Sequence, residues 1–212
     1  MNGQAQPIPR DNVFKRLLLL YGSYMLISDA MFLVGYYLLP EGILRTSSQV
    51  QAAGAIVSGS FWQEFGMTLL INLVWIGGLV TVLNFNQVRG FPMGYIMIVP
   101  LALFSGLVLG TNSFAASDLK LYNAWEGTAL GMSIGGIETL GLLLITAATV
   151  ACGAYQYRSW WRWGGEWKPT KLMRLRDIRL SKAEWLSLIC GVALLVLAAY
   201  RETAMRFGAQ PG

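Results

Sequence analysis

Residues 13–39 read VFKRLLLLYGSYMLISDAMFLVGYYLL, and this stretch decides the class of the protein. It is apolar almost throughout and is long enough to cross, as a helix, the roughly 30 Å hydrocarbon core of a bilayer. Arg10, Lys15 and Arg16 lie before or at its start, and Pro40 ends it. Signal peptides also place an apolar run after a basic start, but this run is too long and no small-residue cleavage site follows it. We therefore predict an uncleaved spanning helix.

The whole chain shares this apolar character. Of its 212 residues, 55% are hydrophobic and only 13% are charged, and the mean hydropathy is +0.49. Ordinary soluble domains carry about 25% charged residues, so a soluble globular enzyme is excluded, and the apolar content excludes disorder. The chain has no histidine, which excludes Ser-His-Asp triads and histidine-ligated zinc or haem. The composition indicates an integral membrane protein without a metal or cofactor.

Four further apolar stretches are long enough to span a bilayer. We predict an all-α fold, a polytopic transmembrane helical bundle of about five spans that forms a single domain over residues 1–212. Residues 41–64, between the first two spans, are too polar to cross and predict a short helix on the outer interface. The five predicted spans are residues 13–39, 65–85, 93–111, 128–155 and 185–205.

The basic residues predict the orientation of the bundle. With the N-terminus inside, residues 1–16, 86–92 and 156–184 are cytoplasmic and hold all but four of the 16 lysines and arginines. Cytoplasmic loops of membrane proteins carry such an excess of positive charge. We predict an N-terminus inside and a C-terminus outside, in a plasma or bacterial inner membrane. The four basic residues left outside are Arg45, Lys120, Arg201 and Arg206.

Three polar residues fall inside predicted spans. Asp29 is central in the first span, Glu138 is central in the fourth, and Asn72 lies about a third of the way along the second. A carboxylate at that depth costs at least a few kcal/mol, so these side chains should face protein or water. One interpretation is a proton or cation relay or a substrate contact. The other, which we favour, is a neutral carboxyl that hydrogen-bonds between helices.

Glycines repeat at intervals of four residues in two of the predicted spans. Gly127, Gly131 and Gly135 form one series, and Gly106 and Gly110 form another. Small residues at this spacing let a second helix approach closely. Packing within the chain is the favoured explanation, and dimerisation is the alternative.

The predicted cytoplasmic loop, residues 156–184, combines aromatic and basic residues. Such a combination at the end of a span predicts an interfacial anchor that contacts anionic lipid. Docking of a cytoplasmic protein is the alternative, and we expect no nucleic-acid partner. Within the loop, Ser181 and Glu184 have the spacing of a capping box that begins the fifth helix. The candidate interfacial residues are Trp160, Trp161, Arg162, Trp163, Trp167, Lys171, Arg174 and Arg176.

The sequence carries no pattern typical of an enzyme. There is no phosphate-binding loop, no Cys-x-x-Cys pair and no Gly-x-Ser-x-Gly turn. The carboxylates expected at exposed positions form no recognisable catalytic pair. They are Glu41, Glu64, Asp118 and Glu126.

The run GGIETLGLLL over residues 135–144, followed by Ala147, Ala148 and Gly153, resembles the signature of the stage II sporulation protein M family of integral membrane proteins. Residues 65–72 are similar to the second span of that family. The family usually places Pro-His where this chain has Ser133 and Ile134, so any role of that histidine is missing. The resemblance implies a non-catalytic membrane component that supports peptidoglycan remodelling.

These observations lead to one functional prediction and two rivals. We predict a scaffold or accessory subunit of a larger membrane complex, with other membrane subunits or a second copy of itself as partners. The first rival is a small oligomeric transporter or channel with Asp29, Asn72 and Glu138 at its midplane. The second is a lipid-modifying enzyme, which would need a cluster of polar residues at one interface that the sequence does not offer.

Overall fold

The computed structural model of the chain describes residues 12–47, 60–113, 135–160 and 168–208. Within these ranges the protein is mostly helical, as predicted, and carries a small sheet. Four of its helical segments are long and apolar enough to cross a membrane: Val13–Leu38, Phe61–Asn84, Met93–Gly110 and Lys182–Ala204. The described helices are α1 (Val13–Leu38), α2 (Phe61–Asn84), α3 (Met93–Gly110), α4 (Gly136–Cys152) and α5 (Lys182–Gly208).

Helix α4 is shorter than the predicted fourth span. It begins at Gly136, and its last turn, Val150–Cys152, is a 3₁₀ turn. The predicted span began at residue 128, and residues 114–134 lie outside the described ranges. Glu138 therefore lies in the first turn of α4, whereas the sequence placed it at the centre of a span.

Local sequence explains where several helices begin. The side chain of Asn12 accepts a hydrogen bond of 3.0 Å from the amide of Phe14 and so caps α1. Helix α5 begins with the predicted capping box, which is confirmed. The amide of Ser181 donates to Glu184 Oε2 at 2.7 Å, and the amide of Glu184 donates to Ser181 Oγ at 3.2 Å. These bonds satisfy donors that a helix start leaves without intrahelical partners.

Two pairs of helices pack closely through glycine. Helices α1 and α3 run in the same direction, and a Cβ placed on Gly106 would overlap the carbonyl oxygen of Ser28. Helices α4 and α5 run in opposite directions, and a Cβ placed on Gly141 would lie 2.9 Å from the carbonyl oxygen of Gly191. No larger residue fits at such distances without moving a backbone, so the glycines set the spacing of both pairs.

A four-stranded sheet lies at one end of the bundle, where α2 and α4 end and α3 and α5 begin. The strand order is β2-β1-β3-β4, with β1 parallel to β3 and the outer pairs antiparallel. A two-residue turn joins β1 to β2, and both its residues have positive φ, 51° at Arg89 and 84° at Gly90, as a type I′ hairpin requires. The all-α prediction missed this sheet. Its strands are β1 (Asn86–Val88), β2 (Phe91–Pro92), β3 (Tyr155–Tyr157) and β4 (Thr170–Lys171).

Candidate functional site

The three polar residues predicted at the midplane do not converge on one site. Asp29 lies on an exposed face of α1, and Asn72 is buried within α2. Glu138 is half-buried on α4 and lies close enough to Glu202 of α5 for the two charges to repel. Its neighbour Thr139 donates a hydrogen bond of 3.3 Å to the hydroxyl of Tyr24 on α1. A shared midplane site made by these three residues is therefore not what the described structure contains.

The most strongly buried charges instead form an ion pair at the sheet end of the bundle. Arg16 of α1 is 6% exposed, and Glu184 of α5 is 2% exposed. Arg16 Nη1 and Nη2 lie 3.2 and 3.3 Å from Glu184 Oε1. Arg16 Nη1 also donates to the carbonyl oxygen of Ala147, near the end of α4, at 2.9 Å. One guanidinium thus joins three helices that are far apart in sequence.

The electrostatics of this ion pair favour both charges. The carbonyl groups at a helix C-terminus carry partial negative charge, which attracts a cation such as the guanidinium. Glu184 lies in the first turn of α5, where the helix dipole favours an anion. The second carboxylate oxygen of Glu184 accepts the hydrogen bond from Ser181. Both charges therefore have specific partners, which a buried ion pair needs to offset its loss of hydration.

A second polar junction lies nearby and is built around Asn84, the last residue of α2. Its side-chain nitrogen donates to the carbonyl oxygen of Thr146 at 3.0 Å and to Thr149 Oγ1 at 2.8 Å, both on α4. Its side-chain oxygen accepts a bond of 3.1 Å from the amide of Gly94 on α3. A Cβ on Gly94 would overlap the Asn84 carboxamide, so only glycine allows this contact. Asn84 is 1% exposed and holds three helices together.

Gln87, in strand β1, is a different kind of buried polar residue. It is 0% exposed, and neither its side-chain oxygen nor its side-chain nitrogen makes a hydrogen bond in the described structure. A buried amide without partners costs about 1–3 kcal/mol. We therefore expect Gln87 to lower the stability of the sheet end, in contrast to the neighbouring Asn84.

The opposite end of α1 and α3 carries a third polar cluster. The amide of Gly42 donates to the carbonyl oxygen of Thr111 at 2.6 Å, and Arg45 Nη2 donates to the carbonyl oxygen of Asn112 at 3.1 Å. The side chain of Asn112 donates to Glu41 Oε1 at 2.7 Å. These bonds tie the turn after α1 to the end of α3, so polar contacts fix the parallel pair at this end.

Helix α2 changes its winding at its middle. Residues Leu70–Gly77 form a π-helix between two α-helical segments, and Asn72 lies in this part, 7% exposed. A π-helical turn inside an α-helix is frequent at functional sites. Sequence reasoning missed the π-helix, although it singled out Asn72.

The glycines chosen from the sequence have different positions. Gly106 and Gly110 face α1, and a Cβ on Gly110 would lie 3.0 Å from the amide nitrogen of Tyr36. Gly135 directly precedes α4. The predictions for Gly127 and Gly131 concern residues outside the described ranges. Gly106 and Gly110 therefore allow a close approach between α1 and α3 of the same chain.

The aromatic and basic loop is described only in part. Trp160 is half-buried, and its ring packs edge-on against Phe91, with 5.9 Å between the ring centroids. The side chains of Lys171, in strand β4, and of Arg174 and Arg176, which follow it, are exposed. The remaining candidates lie outside the described ranges, and they are Trp161, Arg162, Trp163 and Trp167.

Two positions differ from the sequence expectation. Glu64, expected at the surface, is 1% exposed and lies in the part of α2 that contacts α5. Arg16, expected as a loop charge, is buried in the ion pair. Both expectations used the composition of a segment, and composition does not show which face of a helix is covered by another element.

Comparisons with known proteins give no relative for this arrangement. No family model, no curated protein and no solved structure matches the chain. The resemblance to the stage II sporulation protein M family therefore rests on the sequence motifs at residues 65–72 and 135–153 alone. Within the described residues, no three cysteine or acidic side chains are grouped so that they could hold a metal ion.

Proposed function

We propose that the protein is a non-catalytic integral membrane protein that acts as a scaffold or accessory subunit of a larger membrane complex. The observation that carries this proposal is the way its buried polar groups are used. Arg16, Glu184 and Asn84 bind other helices of the same chain and do not surround an open polar cavity. Their arrangement ties α1, α2, α3, α4 and α5 together at that end.

The outer faces of the helices supply a surface for other subunits. In each of the four candidate spans, only 22–33% of the residues in the most apolar window are buried inside the protein. Large apolar side chains point outward on different helices, among them Val74 of α2 at 60% exposure and Ile189 of α5 at 60%. Such faces contact either lipid or the spans of partner proteins.

Site-specific photo-crosslinking in native membranes tests the proposal. A photoreactive amino acid at Val74 or Ile189 should capture the same partner protein in stoichiometric amounts. The same group at Leu143, which is 1% exposed, is the matched control and should capture none. Adducts with lipid alone at both exposed positions would contradict the scaffold role.

We further propose an N-terminus inside and a C-terminus outside, in a plasma or bacterial inner membrane. The exposed basic side chains Lys171, Arg174 and Arg176 lie at the sheet end, which this orientation places in the cytoplasm. There they would contact anionic lipid, at about 1 kcal/mol for each basic residue near the surface. In nanodiscs, exchange of all three for glutamine should reduce enrichment of anionic lipid around the protein. Unchanged enrichment would contradict the lipid contact.

A small oligomeric transporter or channel is the second candidate, and the π-helical part of α2 favours it. Asn72 is buried in that part, where a widened turn changes the usual backbone hydrogen bonding. Ion or proton flux in liposomes that is lost in Asn72→Leu would support this candidate. Absence of flux with the unaltered protein at several ion compositions would exclude it under those conditions and favour the scaffold.

A further inference from the structure

The outward face of α1 has a regular pattern that packing within the chain does not use. Leu19, Leu26 and Leu33 lie seven residues apart, and they are 62%, 74% and 49% exposed. Gly22, Asp29 and Tyr36 form a second series with the same spacing, and all three are exposed. Together the two series form an a/d heptad stripe, here called the α1 seam. Its leucines face away from Ser28 and Phe32, through which α1 contacts α3, and Tyr36 lies at the edge of that contact.

Asp29 makes this face unsuitable for lipid. It lies nine residues before Leu38, the end of α1, and therefore about 13 Å along the helix from that end. Its side chain is exposed and is too short to reach the membrane surface as lysine and arginine do. A carboxylate at the centre of a spanning helix costs about 2.5–3.5 kcal/mol on insertion scales. Something polar should therefore cover Asp29 in the membrane.

We infer that a second copy of this chain covers the α1 seam, so that the protein forms a parallel two-fold dimer through α1. Two copies inserted in the same orientation can be related only by a two-fold axis along the membrane normal, so their α1 helices meet in parallel and in register. In this register the leucines take the a positions, and Gly22, Asp29 and Tyr36 take the d positions. The same symmetry places Asp29 of one copy against Asp29 of the other.

This contact gives each Asp29 carboxyl group a polar partner inside the membrane. Each carboxyl group faces the other across the two-fold axis and is shielded from lipid. A partner helix of a different protein would need its own polar residue at this depth, whereas a second copy brings one by symmetry. Gly22 also lets a second helix approach closely, because it has no side chain. The space beside it is open, since no heavy atom of the described structure lies within 4 Å of a Cβ placed there.

This dimer does not depend on the proposed scaffold role. A homodimer is compatible with a scaffold, a transporter or a protein of another function. Photo-crosslinking at Val74 and Ile189 tests the scaffold, whereas the dimer is tested on α1 alone, so that either can fail without the other.

Single-cysteine crosslinking tests the α1 seam in the full chain. The native cysteines, Cys152 and Cys190, are first replaced by alanine. Leu19→Cys, Leu26→Cys and Leu33→Cys should each form a disulfide-linked dimer in nanodiscs or native membranes. Val74→Cys on α2, at 60% exposure, is the control and should crosslink at most weakly. Equal crosslinking at Val74 and at the three seam positions would overturn the inference.

A glycine pair tests the interface without disturbing the fold. Gly22→Ile should weaken dimerisation by roughly tenfold or more, because its side chain separates the two copies of α1. Gly66→Ile on α2 is the matched control, since Gly66 is also exposed and also has no heavy atom within 4 Å of its Cβ position. A monomer at all protein-to-lipid ratios, or capture of a different protein by a photoreactive group at Leu26, would overturn the inference.

Discussion

The buried ion pair between Arg16 and Glu184 makes a sharp prediction about stability. Exchange of Arg16 for methionine removes the bonds to Glu184 and to the carbonyl oxygen of Ala147. It leaves a carboxylate that is 2% exposed and accepts a hydrogen bond from the amide of Ser181. Removal of one member of a buried pair typically costs about 3–5 kcal/mol, because the other charge stays buried. We expect Arg16→Met to lose stability in that range.

The double variant separates the ion pair from general damage to the packing. Glu184→Gln keeps an oxygen that can accept the bond from Ser181, so the capping box survives in part, and we expect a loss of about 2–3 kcal/mol. In Arg16→Met with Glu184→Gln no buried charge is left alone. The two losses should therefore not add, and the coupling free energy should be about 2–3 kcal/mol.

Unfolding by SDS in mixed micelles, followed by tryptophan fluorescence, measures these free energies. Arg176→Met is the control, because Arg176 also faces an acid, Asp177 at 3.9 Å, but both side chains are mostly exposed, at 73% and 58%. An exposed pair is worth about 0–1 kcal/mol. The reasoning is refuted if Arg16→Met costs no more than Arg176→Met, or if the double variant shows the simple sum of the two single losses.

Three further predictions use the same unfolding measurement. Gly106→Leu should cost at least about 3 kcal/mol of stability, because its Cβ would overlap the backbone of α1. The control Gly66→Leu, with no atom near its Cβ position, should change stability by under about 1 kcal/mol. Equal losses in the two variants would contradict the close approach of α1 and α3. Asn84→Leu should cost about 2–4 kcal/mol of stability, because it leaves buried groups on α3 and α4 without their hydrogen bonds. A loss below about 1 kcal/mol would argue that Asn84 does not hold these helices together. Gln87→Met should raise stability by about 1 kcal/mol, because it removes a buried amide without partners, and a clear loss would show that the amide has a partner in solution.

The helices of this protein were predictable because membrane insertion needs little more than length and apolar content. The run from residue 13 and the capping box at Ser181 and Glu184 gave the bounds of α1 and α5 to within a few residues. The sheet was not predictable in this way. Its strands have two or three residues, too few for an alternating pattern, and β1 meets β3 only because α2 and α4 end side by side.

The polar junctions show a second limit of sequence reasoning. Glu184 was identified as a helix cap, and Arg16 was identified as part of the basic start of a span. The sequence around either residue does not indicate that they meet, because 168 residues separate them. The contact also requires that α1 and α5 begin at the level where α4 ends. For Asp29, sequence reasoning predicted a central position in a span but not the face of the helix, and the structure shows that this face is exposed.

Neutralisation of Arg16 by Glu184 does not weaken the proposed orientation. The positive-inside bias acts while spans are being inserted, and it counts lysine and arginine near span ends while acidic residues contribute little. Arg16 therefore counts at insertion and becomes neutralised only when α5 packs against α1. On the opposite side, Arg45 is tied to the carbonyl oxygen of Asn112 and lies 4.0 Å from Glu41. In the proposed orientation Arg16 thus has two roles in sequence, first as a signal during insertion and then as a bond between α1, α4 and α5.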